Sequence, residues 1–199
     1  MATQNTKQPS TSVVEIAKDG NVILLVGPDK KQLQVCSSVL SNASKYFKNM
    51  FGPHFSEGQD LRADGLKEVS MPDDDSNALE IVCNIIHLRN DAVPETLSPT
   101  EVLNVAVVAD KFDCVVAMKH ASALWLNPRE IQDITELGHL MAAAYVLDNA
   151  RAFGEITLSM ILRHKGRYLS LADENIGLDE YLLWQVICKF SSKLFQFQY

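Results

Sequence analysis

Residues 31–51 read KQLQVCSSVLSNASKYFKNMF, and within this stretch the spacing of apolar residues changes once. From Lys31 to Cys36, polar and apolar side chains alternate, the period of a half-buried strand. From Ser37 onward, Val39, Leu40, Ala43, Phe47, Met50 and Phe51 fall three and four apart, as on two short helices. Ser44 suits the N-cap of the second, since its hydroxyl can accept a first-turn N–H. Gly52-Pro53 then stops it. A strand leading directly into a helix pair makes this a mixed α and β chain.

Upstream, SVVEIAKDGNVILLVG (residues 12–27) holds two apolar runs around Asp19-Gly20, a dipeptide that favours a tight hairpin with positive φ. Strands are expected at about 13–17 and 22–27, with a turn at Gly27-Pro28-Asp29 before the Lys31–Cys36 strand. Together they predict a small antiparallel sheet. Residues 1–11 are polar and expected to be disordered, and they carry no hydrophobic stretch of the secretory kind.

Downstream, residues 53–66 read as a loop and KEVSM (67–71) as a short strand. Asp73 to Ser76 opens a helix whose apolar positions Ala78, Ile81, Val82, Ile85, Ile86 and Leu88 predict broad burial. Ser98-Pro99-Thr100-Glu101 combines a cap, a proline at the first helical position and a glutamate that can reach back to the cap's N–H. It opens a helix with Val102, Val105, Ala106, Ala109 and Phe112 on one face, and a further helix runs from Val115 to Trp125. Asn127-Pro128-Arg129-Glu130 repeats the device. It predicts a tail of three helical segments, about 129–149, 151–164 and 178–196. Their apolar positions are Leu137, Leu140, Met141, Ala144 and Leu147; Phe153, Ile156, Met160 and Ile161; and Tyr181, Leu182, Trp184, Ile187 and Phe190.

The 199 residues are 47% hydrophobic with formal net charge −7, enough apolar material for one ample core and too much for a disordered chain. No apolar run reaches the roughly 20 residues of a membrane helix. Acid is concentrated between Pro53 and Asp75, where Glu57, Asp60, Asp64, Glu68, Asp73, Asp74 and Asp75 face only Arg62 and Lys67. That balance argues against nucleic acid, which rewards a basic face. The basic cluster Arg163-His164-Lys165-Gly166-Arg167 reads instead as a helix C-terminus complementing its dipole. A cytoplasmic or nuclear location is expected.

Cys36, Cys83, Cys114 and Cys188 lie far apart among apolar neighbours, without the close pairs that zinc sites use, and read as small buried hydrophobes. His54, His87, His120, His139 and His164 show no HExxH or HxH spacing, and no phosphate cradle or nucleophile elbow occurs. No catalytic residue, metal or cofactor is expected.

The ordered motifs resemble those of BTB/POZ domains. Asn21-Val22-Ile23-Leu24-Leu25-Val26-Gly27 is similar to the family's opening strand, and Leu33 through Phe51 to its "FxVHSxxLSxxSxxFxxMF" element. Phe55-Ser56-Glu57, Val69-x-Met71-Pro72-Asp73-Asp74-Asp75 and Val107-Val108-Ala109-Asp110-Lys111-Phe112 continue the match. The resemblance is carried by residues 20–126. It implies an α+β fold in which a small sheet flanks a helical cluster at 12–126, followed by a C-terminal helical extension at 127–199. That extension is similar to the tails of BTB proteins from filamentous fungi. Among the departures from the family pattern, Cys36 stands for its histidine and Asn21 for the aspartate that often opens the first strand, while Ser37 stands where transcription-factor members carry an arginine. In transcription-factor members that aspartate and arginine line a charged groove, and both charges are absent here.

What the resemblance implies is a protein–protein interaction module without chemistry of its own. Phe55-Ser56-Glu57 resembles the apolar-x-Glu element with which BTB adaptors touch a cullin scaffold, and Met50 and Phe51 would set the exit of that loop. The expected cullin face is therefore Met50, Phe51, Phe55 and Glu57, on an adaptor for ubiquitination. The alternatives are a self-associating scaffold pairing with itself or another BTB protein, as a homodimer through the 13–17 edge, and a transcription-related regulator. An enzyme with an unsigned site stands outside them.

Overall fold

The computed structural model describes residues 12–52 and 66–163. The expected disorder of 1–11, all but the last residue of the expected loop at 53–66, and the expected helical segment 178–196 with Cys188 lie outside the described residues. Four strands form one sheet: β1 (Val14–Glu15), β2 (Val22–Val26), β3 (Lys31–Val35) and β4 (Lys67–Met71), in the order β1-β3-β2-β4. β2 is the innermost apolar run; Val22, Leu24 and Val26 are fully buried. β2 and β3 are antiparallel, with Val26 opposite Lys31. Their turn uses positive φ at Gly27 (72°) and Lys30 (51°), as a right-twisted hairpin requires.

The sheet corrects one expectation. β1 does not form a hairpin with β2 but runs parallel to β3, and β4 runs parallel to β2, so the sheet is mixed. Asp19-Gly20 has no positive φ. Gly20 is needed for another reason: a Cβ there would lie 2.6 Å from the Val35 carbonyl oxygen. The chain crosses over the end of β3 at that point, which carries β1 to the far side of the hairpin. Glycine permits this close backbone approach.

Helices α1 (Ser37–Ala43) and α2 (Lys45–Met50) follow β3 as the change of period predicts. α3 (Ser76–Ile86) opens on Asp75, whose carboxylate accepts from the N–H groups of Asn77 and Ala78. The acid at the end of β4 is thus only partly a solvated surface. Asp74 is paired with Lys111 at 2.6 Å, and Asp75 also accepts from Asn104 at 3.1 Å. α4 (Pro99–Lys111) begins with the expected reciprocal cap between Ser98 and Glu101, and a 3₁₀ turn (Val115–Met118) leads into α5 (Lys119–Trp125).

The next expected cap is corrected. Asn127 accepts only from the Arg129 N–H, and α6 (Ile134–Val146) starts at Asp133, whose carboxylate accepts from Thr135 and Glu136. The carbonyls of Pro128 and Ile131 are taken by the guanidinium of Arg163, at 3.1 and 3.0 Å. Arg163 is the last described residue of α7 (Ala150–Arg163). Leu88 is also corrected: it is 80% exposed, because φ of 60° turns the chain away immediately after α3. Ile161 on α7 is exposed too.

One hydrophobic cluster runs from the sheet through every helix to Met160. α6 packs along α4, and α7 along α6, so the tail shares the core of the preceding domain. At its centre Phe47 and Phe112 stack with centroids 5.1 Å apart, and Tyr46 meets Phe112 edge-on. No described helix is long and apolar enough to cross a membrane.

Candidate functional site

Ser44 organises the corner from which the expected binding loop leaves. Buried at the α1–α2 junction, its hydroxyl accepts from the Phe47 N–H at 3.1 Å and donates to the Phe112 carbonyl at 2.5 Å. One oxygen therefore starts α2 and ties it to the end of α4. α2 then delivers Met50 and Phe51, both half-buried against the core, and the Phe51 ring stacks on Phe47 at 5.9 Å. Phe55 and Glu57 fall in 53–65, outside the described residues.

Beside the same junction lies an open groove of about 450 Å³, lined by Ser41, Asn42, Lys45, Lys48, Asp113 and Val116. Val116 is 88% exposed. In the sequence it sits within the apolar run Cys114–Met118 and is indistinguishable from core; only the 3₁₀ turn rotates it outward. Asp113, in the left-handed region at φ 53°, makes that turn possible.

At the other end of α1, Asn21 and Ser37 are brought together. The Asn21 carbonyl oxygen accepts from the Ser37 N–H, and its amide donates to the Ser37 hydroxyl, each at 2.9 Å. Ser37 is the first residue of α1, and the preceding Cys36 gives that helix no side-chain cap. Asn21 therefore supplies the cap from the sheet, a role that no sequence-local signal announces because its partner lies across the fold. The Cys36 N–H donates to His87 Nε2 at 3.0 Å, and His87 Nδ1 contacts the Cys83 carbonyl at 2.8 Å. Those two partners require a neutral ring with its proton on Nδ1. Burial holds the His87 pKa below its ordinary value.

The cysteines differ. Cys83 and Cys114 are buried as expected; burial pushes the Cys83 thiol well up and that of Cys114 to about 11. Cys36 is corrected, being only half-buried, with its sulfur 3.1 Å from the Ser38 hydroxyl, a contact that lowers its pKa. No cluster of His, Cys, Asp and Glu able to hold a metal occurs among the described residues.

A sheet with a helix pair at its end and a capped helix behind it is the arrangement the sequence motifs imply. The family description BTB/POZ domain matches residues 17–128. The chain belongs to the BTB/POZ family. No curated protein matches it. As a BTB/POZ protein it carries a protein–protein interaction module, in a family that is generally non-enzymatic. The match covers β2 to α5, so the interaction domain proper includes Asn21, Ser44, Met50 and Phe51, while α6 and α7 lie beyond it.

Proposed function

We propose that this BTB protein is an adaptor that links a cullin-type ubiquitin ligase scaffold to a substrate in the cytoplasm or nucleus. The observation that supports this reading is the anchoring of Phe51. Its stack on Phe47 and the Ser44 tie to Phe112 hold the end of α2 rigid where the segment bearing Phe55-Ser56-Glu57 begins. A short apolar-x-Glu element that follows a well-anchored helix end can present one aromatic anchor at low entropic cost. Met50, Phe51, Phe55 and Glu57 form the proposed cullin face. The extension from α6 onward, joined to the same core, is left to carry the substrate contact. Titration of the full chain against a cullin N-terminal domain tests the reading: saturable one-to-one binding supports it, and no binding at tens of micromolar removes it.

A self-associating scaffold is the second reading. Its support is a groove flanked by the exposed Leu88 and Leu124 and floored by Val93, Ala121 and Trp125. The neutral Asn21–Ser37 pair speaks against a charged co-repressor groove. Mass in solution across a wide concentration range separates scaffold from adaptor.

A further inference from the structure

α6 and α7 meet in a corner whose backbone is closely held. The Asp148 N–H donates to the Tyr145 carbonyl at 3.1 Å, and the Asn149 N–H to the Ala144 carbonyl at 2.8 Å. The Asn149 side chain in turn accepts from the Ala152 N–H at 3.0 Å and starts α7. Between the two helices Asp148 takes φ of 51°, a left-handed value at which aspartate and asparagine are the usual residues after glycine.

Around this corner lies an open hollow of about 570 Å³, within the roughly 300–1,000 Å³ of small-ligand sites. Tyr145 from α6 and Phe153 from α7 both line it, with ring centroids 6.3 Å apart and planes inclined by 54°. Rings so inclined do not cover one another's faces, and Tyr145 is 41% exposed. Asp148 and, from the end of α4, Asp110 bring two exposed carboxylates to the same hollow. Neither carboxylate has a hydrogen-bond or ion-pair partner among the described residues. The cations next to them in sequence are engaged elsewhere, Lys111 with Asp74 and Arg151 with Glu155. Lys119 lines the adjoining hollow together with Asp148 and makes no ion pair with it.

Two aromatic rings and two unpaired carboxylates are complementary to a cation with a flat, weakly hydrated face. A cation within about 6 Å of a ring centroid is attracted by the electron-rich face of the ring. A guanidinium suits the hollow better than an ammonium, because it stacks on a ring while its edge N–H groups reach carboxylates.

We infer that the α6–α7 corner is a docking site for an arginine side chain presented by a basic segment of a partner protein. The guanidinium lies against Tyr145 and Phe153, and its N–H groups donate to the carboxylates of Asp110 and Asp148. In the adaptor reading this is the contact by which the extension takes its substrate. The inference itself does not depend on a cullin, and its test contains none.

Amide NMR titration of the full chain with the peptide acetyl-Gly-Ala-Arg-Ala-Gly-amide tests it, against the same peptide carrying citrulline or lysine. Citrulline keeps the planar shape without the charge. The expected result is saturable shifts at low-millimolar peptide, confined to the amides of 144–153 and those around Asp110. The citrulline peptide is expected to bind about tenfold more weakly, and the lysine peptide about threefold. Two variants are each expected to weaken arginine binding about tenfold: Tyr145→Leu, and Asp110→Asn with Asp148→Asn, which keeps a residue suited to the left-handed turn. The inference is overturned by no shift at about 20 mM peptide, by shifts centred elsewhere, or by a citrulline peptide that binds as well. Lysine binding equal to arginine also overturns it, as do folded variants that keep full affinity. Should a variant lose the dispersed spectrum of the folded chain, the three peptides compared on the parent decide alone.

Discussion

Asn21 caps a helix that begins sixteen residues later: its side chain accepts from the Ser37 N–H and donates to the Ser37 hydroxyl, both at 2.9 Å. Two uncharged residues thus close the corner between β2 and α1. The first-turn N–H of α1 has no other side-chain partner from its own cap. Asn21→Ala is expected to cost about 1 kcal/mol, the ordinary worth of a helix cap at a partly exposed site. Asn21→Asp, which keeps the acceptor for the Ser37 N–H and can accept the Ser37 hydroxyl proton in place of the lost donor, is expected to cost less than half of that. Urea denaturation of the two variants checks it, and equal losses would show that the acceptor is not what matters.

His87 makes stability depend on pH. Its Nε2 accepts from the Cys36 N–H, and its pKa is held below the usual 6.5 by burial. The unfolded chain therefore takes up a proton at higher pH than the folded one. The stability this neutral ring contributes is present above about pH 6.5 and falls as pH drops towards the folded pKa, then levels off. Other histidines titrate too, so the quantity to measure is the difference between wild type and His87→Gln from pH 8 to 5. That difference is expected to shrink as pH falls; a constant one would mean that the ring's proton plays no part.

Ser44 carries two bonds through one buried hydroxyl, one to the Phe47 N–H and one to the Phe112 carbonyl. Ser44→Ala removes a cap and leaves a buried carbonyl poorer by a donor. A loss of about 2–3 kcal/mol is expected from those two effects. For a chain of this size that is roughly 4–12 °C in melting temperature. Calorimetry measures it, and a loss below 1 kcal/mol would mean that the junction relaxes around the alanine. Ser44→Thr, which keeps the hydroxyl, is expected to recover part of the loss.

The features legible in the sequence are those whose partners are local. Ser98 and Glu101 lie three residues apart and both bonds form as their spacing implies; Ser44 and Phe47 do likewise. Asn127-Pro128 looks equivalent, yet Arg163, 35 residues on, claims the carbonyl of Pro128, and the helix waits for Asp133. The run at 13–17 reads correctly as a strand, but its partner is β3, because the chain passes over Val35 at Gly20 rather than turning back. Leu88 fits the apolar stripe of α3 by spacing alone; a left-handed residue ends the helix and throws it into solvent. Met50 and Phe51 of the candidate face follow from helical period, whereas the roles of Asn21 and Val116 depend on tertiary contacts that no window of sequence contains.

Arg89 guards the β1 edge. Its Nη1 donates to the carbonyls of Glu15 and Ile16 at 3.3 Å, and Asp91 holds the guanidinium by two further bonds. Free carbonyls on an edge strand invite another strand, so a guanidinium bonded there opposes pairing between copies. Arg89→Ala is expected to speed hydrogen exchange at residues 13–17 and to raise the dimer fraction in light scattering. If exchange quickens while the mass stays at ~22 kDa, the edge is closed by its two-residue length rather than by Arg89.

Phe55 and Glu57 decide between adaptor and scaffold. If the chain binds a cullin as proposed, the Phe55 ring inserts into an apolar site on the scaffold and Glu57 makes a polar contact beside it. Truncating a buried aromatic anchor commonly costs more than about 2 kcal/mol, a thirtyfold loss or greater, whereas a rim acid costs less and mainly slows association. Phe55→Ala is therefore expected to reduce cullin binding at least thirtyfold with melting temperature unchanged. Glu57→Ala is expected to weaken binding several-fold, with a deficit that narrows as salt is raised. Phe51→Ala gives the contrasting signature. Its ring stacks on Phe47, so its loss should lower melting temperature by several degrees as well as loosen the end of α2. Were Phe55→Ala to lower melting temperature and leave cullin affinity intact, Phe55 would be a core residue and the proposed face would be wrong. Measuring both quantities on each variant separates anchor from core.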